Sequence, residues 1–474
     1  MSFSDHITDQ VTPQIFIMAF EDRTEEFDLL TSIDGDFTTD PIEISRPYYA
    51  DVNVQLGSAC SSSISLTLQN TSQKFNGFGF GRALTYIGTK EDVEQEQGMT
   101  LGTYSIDITP SGLLLNNTYI QDADDVTAVY VYSLFGGTYY AYFVDDNDKV
   151  RRIELNDLTN DVVLGDPSDL FAFASTKHQI AALVVGDEIG DAFDYYVNDG
   201  SDTTHYELCP VGVFNIGRPR STSTNTINIT NAFDDMSLMD ASCGSFISTI
   251  KAAHPSGHCS VQTFVDALLN DFTFPYYASW PNVEVRLDMF QREDYTYREL
   301  LKFALEAAAK NCYFDGTGSL EIKDPPSEPL QTPASPFRII PKTQIAAGTY
   351  DRADYFSGYI DGVHLYKTNN TEWISLGAPA TSKNIYVITG NPLIDENTLQ
   401  DANFVNIVEH LPMYHPVTVQ LTEFNPAIEQ SATMSIQNIY TDQYELVPSW
   451  QIDIYWSGKT YAVVMANGEI YRNV

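Results

Sequence analysis

The residues best placed by type and spacing to do chemistry are His254, His258 and Cys259. Imidazoles four positions apart share one face of a helix, and a thiol beside them completes a soft-metal donor set. Between them, however, stand Pro255, Ser256 and Gly257, which stop a helix. The expectation is a loop ahead of a helix capped by Ser260, with no metal bound. Carboxylate pairs, which serve acid/base hydrolysis at suitable separation, occur at Asp234-Asp235 and Glu293-Asp294. With 64 acids in the chain, nothing in the sequence selects one pair over another. Gly77, Gly79 and Gly81 in FNGFGFGRAL miss the dinucleotide-loop spacing and precede no helix pattern, so they read as a turn or loop tip. Asp145, Asp146, Asn147 and Asp148 lack the glycine and terminal glutamate of a calcium loop. His364, His410 and His415 lie in unrelated segments, and His415-Pro416 reads as a strand entry. No nucleophile elbow, HExxH helix or Walker loop occurs. The expectation is no enzyme: no catalytic residue, no cofactor and no metal.

The elements that would position such groups are mostly strands. Ile64, Leu66 and Leu68 alternate with Ser65, Thr67 and Gln69, the period of a half-buried strand, and PQIFIMAFED and PIEISRPYYADVNVQL read likewise. Residues 101–210 carry 19 acids against 4 bases and form Tyr-rich runs parted by tight turns, as in VYVYSLFGGTYYAYFVDDNDKVRRIEL. That is a β-meander, with Tyr130, Tyr132, Tyr140 and Tyr142 expected as packing residues. Ile227 and Ile229 then resume the alternating pattern, as if completing the first block around an inserted domain. Two helices follow. One is capped by Ser260 and buries Val261, Phe264, Val265, Leu268 and Leu269. The other opens on a Thr296…Glu299 capping box with a stripe of Leu300, Leu301, Ala304, Leu305 and Ala308. CYFDGTGSLEIK is a hairpin about Asp315-Gly316, and the proline-rich DPPSEPLQTPASP is a linker. In the last third, ENTLQDANFVNIVEHL is an amphipathic helix with Phe404, Val408 and Leu411 on one face. Four closing strands follow, in which Trp450 and Trp456 are packing residues. Asn391-Pro392 and Asn425-Pro426 are turn signals.

Composition narrows the function classes. A chain of 474 residues is about three times the usual domain length, so several cores are expected. A formal charge of −39 opposes contact with phosphates or an anionic membrane. It suits either a solvated surface or a channel wall that repels a moving polyanion. The N-terminus has neither the basic nor the apolar part of a secretory leader, and no run reaches a membrane span. Cys60, Cys209, Cys243, Cys259 and Cys312 are odd in number and unpaired in pattern, as core residues of a chain made in a reducing cytoplasm.

Four stretches, in this order, resemble the baseplate hub, or tail-tip hub, proteins of tailed bacteriophages, the family of the T-even hub. They are GVFNIGRPRSTSTNTINITNAFDDMSLMD, REDYTYRELLKFALEAAAKNCYFDGTGSLEIK, VITGNPLIDENTLQDANFVNIVEHL with MYHPVTVQLTEFNPAIEQSATMSIQ, and IYWSGKTYAVVMANGEI. Residues 13–90 carry a weaker match. Two features depart from the family pattern: Gln430, Ser431 and Ala432 stand where it has an acidic, glycine-containing turn, and the insertion has no place in a minimal hub.

The resemblance implies an α+β, mainly β fold. It has two tube-like β-barrel or sandwich domains, a small α+β domain between them and an inserted Tyr-rich β-domain. Expected bounds are 1–95 with 206–242 for the discontinuous N-terminal β-domain, 96–205 for the insertion, 243–336 for the α+β domain and 337–474 for the C-terminal part. The implied role is a structural virion protein of the tail or baseplate, made in the host cytoplasm. As a homotrimer it joins a hexameric tail tube, or a distal tail protein, to a three-fold central spike or tail fibre. It surrounds the tape-measure protein, with DNA passing an acidic lumen and no specific nucleic-acid binding. An adhesin that binds carbohydrate through the insertion is the other reading.

Overall fold

The computed structural model describes residues 14–20, 29–32, 42–48, 56–69, 81–93, 98–101, 104–109, 112–116, 118–119, 127–130, 140–144, 150–154, 161–165, 193–198, 203–216, 220–223, 225–272, 274–316, 318–325, 338–352, 362–366, 373–376, 385–395, 416–422, 433–457 and 460–468. Strands dominate these residues and helices are few, as expected of a mainly β chain.

The first strands are β1 (Gln14–Phe20), β2 (Leu29–Ser32), β3 (Ile42–Pro47), β4 (Ser63–Gln69) and β5 (Gly81–Val93). In β4 burial alternates as the sequence requires, with Ile64, Leu66 and Leu68 inward. Among the described residues between 98 and 198 nine strands follow: β6 (Gly98–Leu101), β7 (Tyr104–Thr109), β8 (Gly112–Leu115), β9 (Thr118–Tyr119), β10 (Thr127–Tyr130), β11 (Tyr140–Val144), β12 (Val150–Glu154), β13 (Asp161–Gly165) and β14 (Phe193–Asn198). β6 to β9 make a four-stranded antiparallel sheet, and β10 to β13 pair in sequence order as a meander. The packing expected of Tyr130, Tyr132, Tyr140 and Tyr142 lies outside the described residues.

The long β15 (Thr203–Ile216) then returns antiparallel along the whole of β5, from Thr203 opposite Val93 to Ile216 opposite Gly81. β16 (Arg220–Ser223) and β17 (Thr226–Phe233) follow, and β17 pairs with β4.

Near the C-terminus β28 (Pro416–Leu421), β29 (Thr433–Gln437), β30 (Tyr444–Ser457) and β31 (Thr460–Gly468) close the chain; β23 (Arg338–Ile340) and β24 (Asp351–Arg352) join them. β3 pairs antiparallel with β30, Ile42 opposite Trp456 through Pro47 opposite Gln451. Across that pairing Ser45 Oγ donates to Asp453 Oδ1 at 2.6 Å, a contact between residues 408 apart in sequence. One hydrophobic core accordingly draws on both ends of the chain: Ile44, Leu66, Phe214 and Ile229 pack with Val419, Met434 and Ile454.

The second core belongs to the α+β unit. It holds α1 (Phe246–Ala253), α2 (Val261–Leu269), α3 (Tyr297–Ala307) and the short strands β18 (His258–Ser260), β19 (Tyr276–Ala278), β20 (Glu284–Arg286), β21 (Asn311–Phe314) and β22 (Leu320–Lys323). Ser260 caps α2 by accepting from Thr263 N at 3.0 Å, and the Thr296–Glu299 capping box opens α3 with both reciprocal bonds made. The inward faces are the apolar stripes that the helical period dictates.

Residues distant in sequence join this second core. Leu56 and Ala59, from the β3–β4 connection, belong to the α+β core, as do Ile388, Leu393 and Ile394. Ile388 lies in β27 (Ile385–Thr389), which with β25 (Gly362–Tyr366) and β26 (Trp373–Leu376) forms a three-stranded sheet. The two cores meet at Tyr48 and Tyr313, stacked edge to face with centroids 5.7 Å apart, against which Trp450 packs. Gly77, Gly79, the acidic run 145–148, Asn425-Pro426 and the helix expected within 396–411 lie outside the described residues, as does most of the linker.

Candidate functional site

Among the described residues, buried polar side chains gather at the joint between the two cores. It starts from the strap Leu56–Ser62, which crosses the face of α3 and β21. Gly57 N donates to Lys310 O at 2.9 Å, Ser58 N to Asn311 Oδ1 at 2.8 Å, and Cys312 N to Ser58 O at 2.9 Å. Ser58 Oγ reaches back to Tyr48 O at 2.7 Å. Gly57 is required here: its φ is +72°, and a Cβ would come within 2.6 Å of Lys302 O, in the backbone of α3.

At the strap's C-terminal end lies Asp234. Its extended backbone places the carboxyl as the N-cap of the 3-10 turn Asp235–Asp240. Oδ1 accepts from Met236 N at 3.2 Å and Oδ2 from Ser62 N at 2.7 Å, while Asp234 N donates to Ser62 O at 3.1 Å. The side chain is buried, and burial pushes its pKa up to about 7; the neighbouring Asp235 adds to the rise, and the Ser62 and Met236 bonds with the Arg298 charge oppose it. Asp235 follows Asp234 in sequence and opens the turn. Its Oδ1 accepts from Asn215 Nδ2 at 2.8 Å, which ties β15 to the turn. Arg298, in the first turn of α3, donates from Nη2 to Met236 O and to Ser61 Oγ, each at 2.7 Å, and its Nε lies 2.9 Å from Asp240 Oδ1.

At the strap's other end the carboxyl is Glu306, on the last turn of α3. Oε2 accepts from Asn391 Nδ2 at 2.8 Å and Oε1 from Tyr386 OH at 3.2 Å; that same phenol oxygen receives Leu56 N at 3.3 Å. Burial raises the Glu306 pKa, and the Asn391 and Tyr386 bonds oppose the rise. Asn391 also donates to Phe303 O at 2.9 Å and accepts from Leu393 N at 2.9 Å, so the Asn391-Pro392 turn docks the 385–395 segment on α3. Its spacing announced a turn; the clamp on Glu306 had no signal, because its partner is 85 residues away.

The other sequence candidates are scattered. His254 ends α1 as its C-cap, and His258 enters β18 beyond the Pro255–Gly257 turn. Cys259 is buried, its thiol pushed up to about 11 by burial and by Glu284. Asp294 pairs with Arg292 at 3.7 Å on the surface, and His364 lies in β25. His410 and His415 lie outside the described residues. Among the described residues no three His, Cys, Asp or Glu side chains gather to hold a metal, and Cys60, Cys243, Cys259 and Cys312 are free thiols. No described helix is long and apolar enough to cross a membrane. The contacts at the joint are those of a clamp: caps, the buried Asp234 and half-buried Glu306 carboxyls, and amide donors that fix one segment on another.

No family model and no curated protein matches the chain. Solved structures similar to it include the 43 kDa tail protein of prophage MuSo2 from Shewanella oneidensis, with 10% identity and a TM-score of 0.38 over 95% of this chain and 97% of that one. A tail protein from Neisseria meningitidis MC58 gives 6% identity and a TM-score of 0.40 over 96% of each chain. The prophage tail protein gp18 from Listeria monocytogenes EGD-e gives 8% and 0.36, over 95% and 94%.

Proposed function

We propose that the chain is a structural virion protein of a phage tail, a hub that trimerises to join a six-fold tube to a three-fold spike or fibre. It performs no turnover. The observation that carries the reading is the β3–β30 pairing, which sets strand groups from the two ends of the chain side by side in one ladder. A chain that presents two β-units in this way lets three copies offer six to a hexameric ring. The ordered motif resemblance of the second half of the sequence supports the same reading. In that ring part of the −39 charge faces the bore, where like charge keeps DNA and the tape-measure protein from adhering.

Solution mass tests the proposal. The full chain is expected to sediment at three times its 52.9 kDa, alone or on addition of tube protein. A chain that keeps its single mass at every concentration, with and without that partner, is not a hub.

A further inference from the structure

We infer that the outer corner of the β23–β29–β30 sheet, formed by Ile339, Tyr440 and Tyr444, is the surface through which one copy of this chain docks on the next, a reading that rests on the trimer proposed above. Six large apolar side chains stand exposed among the described residues, and three of them share this corner: Ile339 is 57% exposed, Tyr440 76% and Tyr444 50%. Strand register sets two of these on one face. Ile339 lies opposite Ser435 and Tyr444 opposite Gln437, and Ser435 and Gln437, two apart on β29, share a face of the sheet. That face is turned away from the core, which takes the alternate residues Ile340, Met434 and Ile436.

Tyr440 is fixed at the end of the β29–β30 hairpin. Asn438, itself buried, accepts on Oδ1 from Tyr440 N at 2.8 Å and from Thr441 N at 3.2 Å, and its backbone closes the turn with Asp442 N and Gln443 O. Lys342, in the 3-10 turn after β23, donates from N to Gln437 Oε1 at 3.0 Å and from Nζ to Asp442 Oδ1 at 2.5 Å, which ties the hairpin end to β23. The Tyr440 ring stands edge to face with Tyr350, centroids 5.8 Å apart. An aromatic side chain held in place before contact loses little freedom on docking, which is what an interface anchor needs.

Charge selects the occupant. Residues 338–352 and 433–444 carry the bases Arg338, Lys342 and Arg352 against the acids Asp351 and Asp442, in a chain whose net charge is −39. Copies so charged repel one another, and an apolar corner free of the chain's excess of acid is where they can close. A basic partner would be drawn instead to the acidic remainder. Lys342 is already paired with Asp442, so the contact is made by apolar area. A closed ring of three takes head-to-tail contacts, so the corner meets a different face of the next copy.

Sedimentation of the full chain across a dilution series tests this. The double variant Ile339→Ser with Tyr440→Ser should raise the midpoint concentration of trimer formation about tenfold or more, as loss of an interface anchor does. Tyr277→Ser, which removes a comparably exposed aromatic outside the corner, should leave the midpoint within about twofold. A double variant that assembles like the wild type overturns the contact and leaves the hub reading standing. A wild type that never assembles overturns the hub reading itself, and the contact with it. Where the double variant does not fold, hydroxyl-radical labelling of the wild type decides: Tyr440 and Tyr444 should be labelled less in the trimer than in the diluted single chain, with Tyr277 unchanged. Equal labelling in both states overturns the contact, as does protection that appears only when tube protein binds the single chain, which would assign the corner to that partner.

Discussion

Asn391 shows how much one side chain holds in this joint. It is buried, and its amide spends both ends: Nδ2 on Phe303 O and Glu306 Oε2, Oδ1 on Leu393 N. Asn391→Ala removes all three bonds and leaves Leu393 N and a half-buried carboxyl short of partners. A buried group left unsatisfied costs about 1–3 kcal/mol, so a loss at the upper end of that range is expected in urea unfolding followed by the α+β unit. Asn391→Asp tests the electrostatics separately. It can still accept from Leu393 N, but it sets a second carboxylate against Glu306, whose own pKa burial already raises. The sign follows: two facing acids favour a shared proton, so the Asp variant's deficit should be largest at pH 8 and shrink toward pH 5. A deficit independent of pH would mean that Glu306 does not face this position as a charge.

At the scale of elements, α3 is the organiser, since Arg298 and Glu306 at its two ends carry both clamps. Its start was legible in the sequence because a capping box is written within four residues. Thr296→Ala should cost about 1 kcal/mol, and Thr296→Ser should restore most of it, read as thermal melting of the α+β unit. Gly57→Ala is expected to cost more, because it adds the left-handed penalty of about 1–2 kcal/mol to a collision with the fixed carbonyl of Lys302. If Gly57→Ala melts like the wild type, the strap does not lie on α3. The same contrast of local and distant explains what could be read beforehand. The stripes of α2 and α3, their caps, the hairpin about Asp315-Gly316 and the alternation of β4 all follow from neighbours in sequence. The β3–β30 pairing, the bond from Asp234 to Ser62 and the entry of Ile388, Leu393 and Ile394 into the α+β core join residues far apart. No period or motif encodes such a pairing, and Asp234-Asp235 looked like any other acid pair in an acidic chain.

For the whole molecule the charge is the quantity that separates arrangements. Each copy carries −39, so bringing three together concentrates negative charge about the axis. If the acids of the proposed trimer face a bore, they repel one another across it and gain nothing from the contacts between copies. Added salt shortens the Debye length from about 10 Å at 0.1 M to about 3 Å at 1 M and relieves that repulsion. If instead the acids meet the 25 Lys and Arg side chains across the interfaces, salt weakens the assembly. The expected result is a trimer that tightens as NaCl rises from about 20 mM to 500 mM, measured by sedimentation across a dilution series. A duplex DNA oligonucleotide should show no retention by the chain at the low-salt end, where any phosphate-binding surface would be strongest. A trimer that loosens with salt, or that holds DNA at 20 mM, places basic groups at the interface or the bore and removes the acidic channel from the proposal.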